Sequence, residues 1–247
     1  MKKAAFVMVL YNDSESYDWT KISVTSFREH FPKAPLVAVD QNHNPKEVEF
    51  LKSQDAIIIN GKRGDQHGTG MDLAIQWCKG KVDVMIHIEP DCIFLGRKWF
   101  DLLMSGVVDD GNWMSGSCQY EFGPIHPCPS AWDVNQVKHS FEYVSKRKDI
   151  YLPQHHKLID FKALIKDLHI KNEKHGYTKE QNHVFLYGWD TALKNWFEAA
   201  SQGKAIKVET TNDFFHFWHG SCRSIEDRMG KIPEFWREEL TKALAKI

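Results

Sequence analysis

The sequence predicts an α/β fold in which helices flank a mostly parallel central sheet. Two observations carry that expectation. Over roughly its first hundred residues, short β-branched runs alternate with amphipathic stretches, the order that places strands in one sheet with helices on its faces. The chain of 247 residues is also 42% hydrophobic and 26% charged, a balance that supports a sizeable buried core.

Ala4 to Leu10, Leu36 to Asp40, residues 56–60 and Val84 to Ile88 are the predicted strands. Ser16 to His30 carries a helical pattern. A second helix over 71–79 places Met71, Ala74, Ile75 and Cys78 on one face before Gly80 closes it. Residues 99–104 read as a short helix, and 111–129, rich in Gly, Pro, Ser and Cys, shows no regular period. Further on, Phe161, Leu164, Ile165 and Leu168 share a helical face. So do Leu193, Trp196, Phe197 and Ala200, in a helix that Gly203 closes. The runs 205–208 and 214–218 are strand candidates, and Pro233 opens a terminal helix where proline is tolerated. There is no internal repeat and no low-complexity tract.

Composition narrows the partners. Lys+Arg 32 against Asp+Glu 33 gives a formal charge of -1, so net charge supplies no general attraction for nucleic acid. The locally basic stretch 138–179 reads as a lysine-rich solvated face. The opening MKKAAFVMVLYND is too short in its apolar part for a signal peptide and reads as the first strand. No segment approaches the ~18 apolar residues of a membrane span. Five cysteines without a CxxC pair point to reduced thiols and a cytoplasmic location.

The chemistry centres on VMIHIEPDCIF, where an apolar strand ends in Glu89-Pro90-Asp91. In extended chain, residues two apart project to the same side, so both carboxylates can face one cation. Mn²⁺ and Mg²⁺ take oxygen ligands, commonly one or two carboxylates plus substrate phosphates. Ligands of open α/β sheets also bind beyond the carboxyl ends of strands. By itself the acidic pair reads equally as a turn.

YND after the first strand, VDQN after the second, HGTGMDLAIQWCKG before the acidic strand, and IEPDCIF together resemble the GT-A glycosyltransferases, especially their family 2-like branch. An ExD triplet stands where that family has DxD and keeps both oxygen ligands. The resemblance covers about the first half of the chain. It implies a nucleotide-sugar-binding core over residues 1–110. Residues 111–247 then form the acceptor-side and metal-completing region of the same domain. It also implies that Tyr11, Asn12 and Asp40 surround base and ribose, where a carboxylate accepts hydrogen bonds from hydroxyls or a uracil N–H. Lys62 and Arg63 follow the third strand and reach base or phosphate, or form a basic turn. Gly70, with Gly68, lets backbone approach a ligand. Asp72 lies near the donor or stabilises a helix N-terminus.

In DFFHFWHGSCR the resemblance favours His219 over His216 as the histidine completing the metal shell, and Arg223 as a diphosphate contact. Zinc held by these histidines and Cys222 is disfavoured because no second Cys/His pair has suitable spacing. In HVFLYGWDTALKNWF, Asp190 resembles the acidic residue of a Gly-Trp-acid segment on the acceptor side. It reads equally as general base of an inverting reaction and as a helix N-cap. Trp189, and Trp132 in HPCPSAWD, are candidates to line the acceptor, with a place in the core as the alternative reading of a tryptophan.

The expected activity is transfer of a sugar from a nucleoside-diphosphate donor, a UDP-sugar with UDP-glucose as default, to a carbohydrate or other hydroxyl acceptor, with Mn²⁺ or Mg²⁺ as cofactor. Two rivals stand beside it. A nucleotidyltransferase needs a glycine-rich basic loop after the first strand, which YNDSES lacks. A non-catalytic nucleotide- or carbohydrate-binding module would keep the fold without turnover.

Overall fold

The computed structural model describes residues 2–10, 16–65, 67–117, 128–141, 150–152, 157–159, 195–196, 198–199, 202–209, 211–217, 225, 229–230 and 232–247. Strands β1 (Ala4–Leu10), β2 (Leu36–Asp40), β3 (Ile57–Asn60) and β4 (Val84–Ile88) lie where the sequence predicts them. Three further strands join their sheet: β6 (Met114–Ser117), β7 (Ser130–Asp133) and β10 (Ala205–Val208). The seven run in the order β10-β6-β7-β4-β1-β2-β3. Strand β1 pairs in parallel with β2 and β4, and β2 with β3, whereas β7 is antiparallel to both β4 and β6. The sheet is therefore mostly parallel and runs continuously across residue 110.

Strand β5 (Cys92–Phe94) leaves the end of β4 and pairs antiparallel with β11 (Phe214–His216), with Cys92 opposite His216. A small hairpin joins β8 (Ile150–Leu152) to β9 (Lys157–Ile159). Strands β5, β6 and β7 escape sequence prediction for one reason. Each has three or four residues, too few to show a two-residue period.

Helices α1 (Ser16–His30), α2 (Pro45–Ser53), α3 (His67–Cys78), α4 (Lys98–Val108) and α5 (Glu234–Leu244) complete the described frame. The apolar pattern misses α2, but its start is a local signal: Asn44 caps the Lys46 N–H and Pro45 occupies the first turn. Helix α3 begins four residues before the predicted start, taking in Gly68 and Gly70. Tertiary packing outweighs their poor helix propensity. A Cβ on Gly70 would lie 2.4 Å from Val9 Cγ1 and 3.1 Å from Gln41 Oε1, so glycine lets α3 rest directly on β1.

The central strands are buried on both faces, which explains their continuous apolar runs. Alternation sorts the two sides. Phe6, Met8, Leu10, Leu36, Ala38, Val84, Ile86 and Ile88 pack with Val24 and Phe27 of α1 and Trp99 and Leu103 of α4. Ala5, Val7, Val9, Val37, Val39 and Met85 pack against Met71, Ala74, Ile75 and Cys78 of α3. His87 pairs in register with Val7 and so belongs to the α3 side. A third cluster, including Trp19, Ile22, Ile93, Phe217, Trp236 and Leu240, ties α1 and α5 to the β5-β11 ribbon. No helix among the described residues is long and apolar enough to cross a membrane. The helical face predicted over 161–168 lies outside the described residues.

Candidate metal and nucleotide site

The centre of the candidate site is the point where β4 runs out. Glu89 and Asp91 follow the strand, and the β5-β11 pairing delivers His216 to both of them. His216 Nε2 lies 2.8 Å from Glu89 Oε2 and 3.1 Å from Asp91 Oδ1. The backbone is pinned on either side, with Phe217 N–H donating to Asp91 O at 2.8 Å and Ser23 Oγ–H to Glu89 O at 3.2 Å. Asp91 is 1% exposed by side chain, whereas Glu89 keeps 18% and forms the more open edge.

Burial alone would lower the His216 pKa. The Asp91 and Glu89 carboxylates outweigh it and hold the imidazole well above its usual 6.5. Without a metal, the cluster is thus a cationic imidazolium between two carboxylates. Of the two histidines weighed from sequence, His216 stands at the acidic pair among the described residues. Strand register explains this: His216 is the last residue of β11 and stands opposite Cys92, the residue after Asp91. His219 lies outside the described residues.

Three more potential ligands border the cluster. Cys128 Sγ falls with one ligand atom each of Glu89 and His216 inside a group no wider than 4.8 Å. Burial, followed by its contact with Cys92 at 3.5 Å, pushes the Cys128 thiol well above its ordinary 9.0 and keeps it protonated. His67 and His87 form a second such group with Glu89. Sequence reasoning passed over these three. The available signal was His87 itself, a polar residue in a fully buried five-residue strand.

The ends of β1, β2 and β3 form the other part of the candidate site. Asp40 closes β2, 5% exposed, and its Oδ1 accepts from the backbone N–H of Asn42 at 3.1 Å and of His43 at 2.8 Å. His43 adopts a left-handed φ of 57° and its Nε2 meets Gly61 O at 2.9 Å, linking the loops after β2 and β3. Beneath them, buried Glu47 accepts from Thr20 Oγ–H at 2.6 Å and from Asn42 Nδ2–H at 3.2 Å. Lys62 and Arg63 project exposed from the loop after β3.

Two residues named from sequence have different surroundings from those expected. Asp72 sits past the first turn of α3, so it caps nothing. Its carboxylate accepts from Phe141 N–H at 2.8 Å and from the Ser140 hydroxyl, tying α3 to the segment before residue 142. Trp132 is 2% exposed on β7, donates from Nε1 to Ser130 Oγ at 2.8 Å and meets Phe141 edge-on at 5.2 Å. It is a core residue with no free ring face for an acceptor sugar, which corrects the expectation. Tyr11, Asn12, Trp189, Asp190 and Arg223 lie outside the described residues.

No protein-family model matches the chain and no curated protein matches it. Among solved structures, the chain is similar to S. aureus TarS 1-349 at 9% identity, covering 98% of this chain and 70% of that one, with a TM-score of 0.48. It is similar to the mannosyltransferase PcManGT from Pyrobaculum calidifontis, solved with GDP-Man and Mn²⁺, at 8% identity over 55% of this chain and 46% of that one, TM-score 0.47. It is also similar to glucosyl-3-phosphoglycerate synthase from Mycobacterium tuberculosis with Mn²⁺ and UDP-glucose, at 10% identity over 55% of this chain and 57% of that one, TM-score 0.44. The chain spans about half the length of these last two proteins. The functional reading rests on this chain's own side chains.

Proposed function

We propose that the chain is a metal-dependent glycosyltransferase that moves a sugar from a nucleoside-diphosphate donor to a hydroxyl acceptor. The observation that supports it most directly is the convergence of Glu89, Asp91 and His216 at the carboxyl end of β4. Two carboxylates and one imidazole are a donor set suited to Mn²⁺ or Mg²⁺, and a cation can replace the proton that His216 holds in the metal-free state. Glu89, Asp91 and His216 would hold the ion, which when bound supplies positive charge to neutralise a diphosphate leaving group.

The rest of the reading concerns the protein's own groups. Asp40 stands at the end of β2 with one oxygen committed to the loop, and its other oxygen is the acceptor offered to a ribose hydroxyl or a uracil N–H. Lys62 and Arg63 supply positive charge beside it. Buried Asp91 and Cys92 close the floor of the site against water, which strengthens charge interactions there. Asp190 is assigned the proton of the acceptor hydroxyl in an inverting transfer, with Trp189 beside the acceptor and Arg223 on the diphosphate. These three assignments rest on the sequence resemblance. A UDP-sugar, UDP-glucose by default, is the proposed donor.

A thermal-shift titration tests the reading. UDP and UDP-glucose should raise the unfolding temperature in Mn²⁺ and not in EDTA, because a ligand of the native state stabilises in proportion to ln(1 + [L]/Kd). The double variant Glu89→Gln/Asp91→Asn should lose that metal-dependent shift. Equal stabilisation in EDTA, or full transfer by the double variant, would sink the proposal.

A further inference from the structure

We infer that the chain carries a second divalent-metal site, of zinc class, formed by His67, His87 and Glu89 on the α3 side of β4. The placement follows from strand periodicity. Met85 packs against α3, strand alternation puts His87 on the same side, and α3 opens with His67 beside His87. The two imidazole rings lie with centroids 5.0 Å apart and planes tilted by 55°. One ligand atom from each of the three side chains falls within 4.8 Å of the others, a spread that small side-chain rotations bring to the distances of a shared zinc ion, about 2.0–2.2 Å from each N or O.

The donor set separates this site from the one at Asp91. Two imidazoles with one carboxylate is the ligand set of open zinc sites, which retain a free position for water or another ligand. The Asp91 side offers two carboxylates and one imidazole, better suited to Mn²⁺. Affinity of nitrogen-containing sites rises from Mn²⁺ to Co²⁺ and is higher again for zinc, so the α3-side group selects the later metals. Glu89 belongs to both groups, and zinc bound by His67 and His87 draws on a carboxylate that the Asp91 site also uses. This inference does not depend on the glycosyltransferase reading, since the triad binds metal with or without a nucleotide sugar.

The test uses Co²⁺ as a spectroscopic probe on the full chain after chelator treatment. Wild-type protein should develop the visible absorption of nitrogen-ligated, low-coordinate Co²⁺. His67→Asn should weaken Co²⁺ binding by about tenfold or more, since even partners that only orient metal ligands are worth that much. Asp91→Asn should keep the band. His87→Asn changes a fully buried residue, so circular dichroism accompanies it. His67→Asn, at a helix start that tolerates asparagine, keeps the inference testable if His87→Asn does not fold. No visible band in the wild type, a band unchanged in His67→Asn, or a band lost in Asp91→Asn but retained in His67→Asn would each overturn the inference. Failure of the glycosyltransferase reading shows separately, as loss of the Mn²⁺-dependent nucleotide shift with the Co²⁺ band intact.

Discussion

Two regions along the carboxyl ends of one sheet's parallel strands are organised by different forces. After β2 and β3, the loops are held by neutral and charge-assisted hydrogen bonds that close within the protein: Asp40 on two backbone amides, His43 on Gly61, and Glu47 on Thr20 and Asn42. After β4, the arrangement depends on charge, with His216 between Glu89 and Asp91. The first region is pre-organised whatever the solution holds. The second has a geometry that exists only while some cation, a proton on His216 or a metal, offsets two carboxylates. A loop meant to bind a heterocycle gains from the first design, and a site meant to exchange a cation needs the second.

The sharpest way to break this contrast is His216→Ala. In EDTA it leaves buried Asp91 beside Glu89 without a cation, and removing one partner of a buried ion pair costs about 3–5 kcal/mol. Urea denaturation should show a loss of that order, with Mn²⁺ recovering part of it. An unchanged midpoint in EDTA would mean the His216 contact contributes little to holding the site.

Gly70→Ala probes the scaffold common to both regions. The added methyl would meet Val9 Cγ1 at 2.4 Å, and overpacking of this kind costs about 1–3 kcal/mol. Calorimetry should find the loss while the Mn²⁺ affinity stays at the wild-type value. A loss of metal affinity equal to the loss of stability would show that α3 and the β4 end respond as one unit.

Much of this scaffold could be read from residue pattern, and the reasons for the gaps are physical. Strands β1, β2 and β4 are long apolar runs buried on both faces, and α1 spans fifteen residues of clear period. Their positions follow from local sequence. Glu89 and Asp91 were visible for the same reason, standing where such a run stops. His216 was harder. Its role comes from the antiparallel register with Cys92, a contact across 124 positions that no window of sequence contains. His67 and His87 meet only because α3 and β4 pack together. Trp132 misled because tryptophan's size suits a sugar wall and a core equally, and only burial decides between them.

pH probes the charge-held β4 end without mutation, through two histidines that titrate in opposite senses. His216 has a folded pKa above its unfolded 6.5, so in EDTA its contribution is fully present below about pH 6.5 and disappears as pH rises through the raised value. His67 acts in the other window. Burial chiefly lowers its pKa, so the folded state takes up its proton late and stability falls as pH drops below about 6.5. Metal-free protein should therefore lose stability on both sides of a narrow maximum. Saturating Mn²⁺, which takes the place of the His216 proton, should flatten the alkaline side. Unfolding midpoints followed across the range check this, and an alkaline limb unaffected by Mn²⁺ would break the link between proton and metal.

The smallest expected effect belongs to the pre-organised region and is informative for that reason. Asn42→Ala removes the amide that donates to Glu47 at 3.2 Å, leaving Glu47 its shorter bond from Thr20. Loss of one such bond costs about 1 kcal/mol. That cost should be the same with and without Mn²⁺. The charge-held cluster lies at the end of a different strand and shares none of these partners, so the two perturbations should add. Nucleotide affinity should fall less than stability does, because the backbone N–H of residue 42 survives the substitution and still holds the Asp40 carboxylate in place. Calorimetric titration of UDP in Mn²⁺ measures that difference. If Asn42→Ala changes Mn²⁺ affinity as much as UDP affinity, the two regions are one coupled site, and hydrogen bonds and charge are not the separate organisers that their geometry implies.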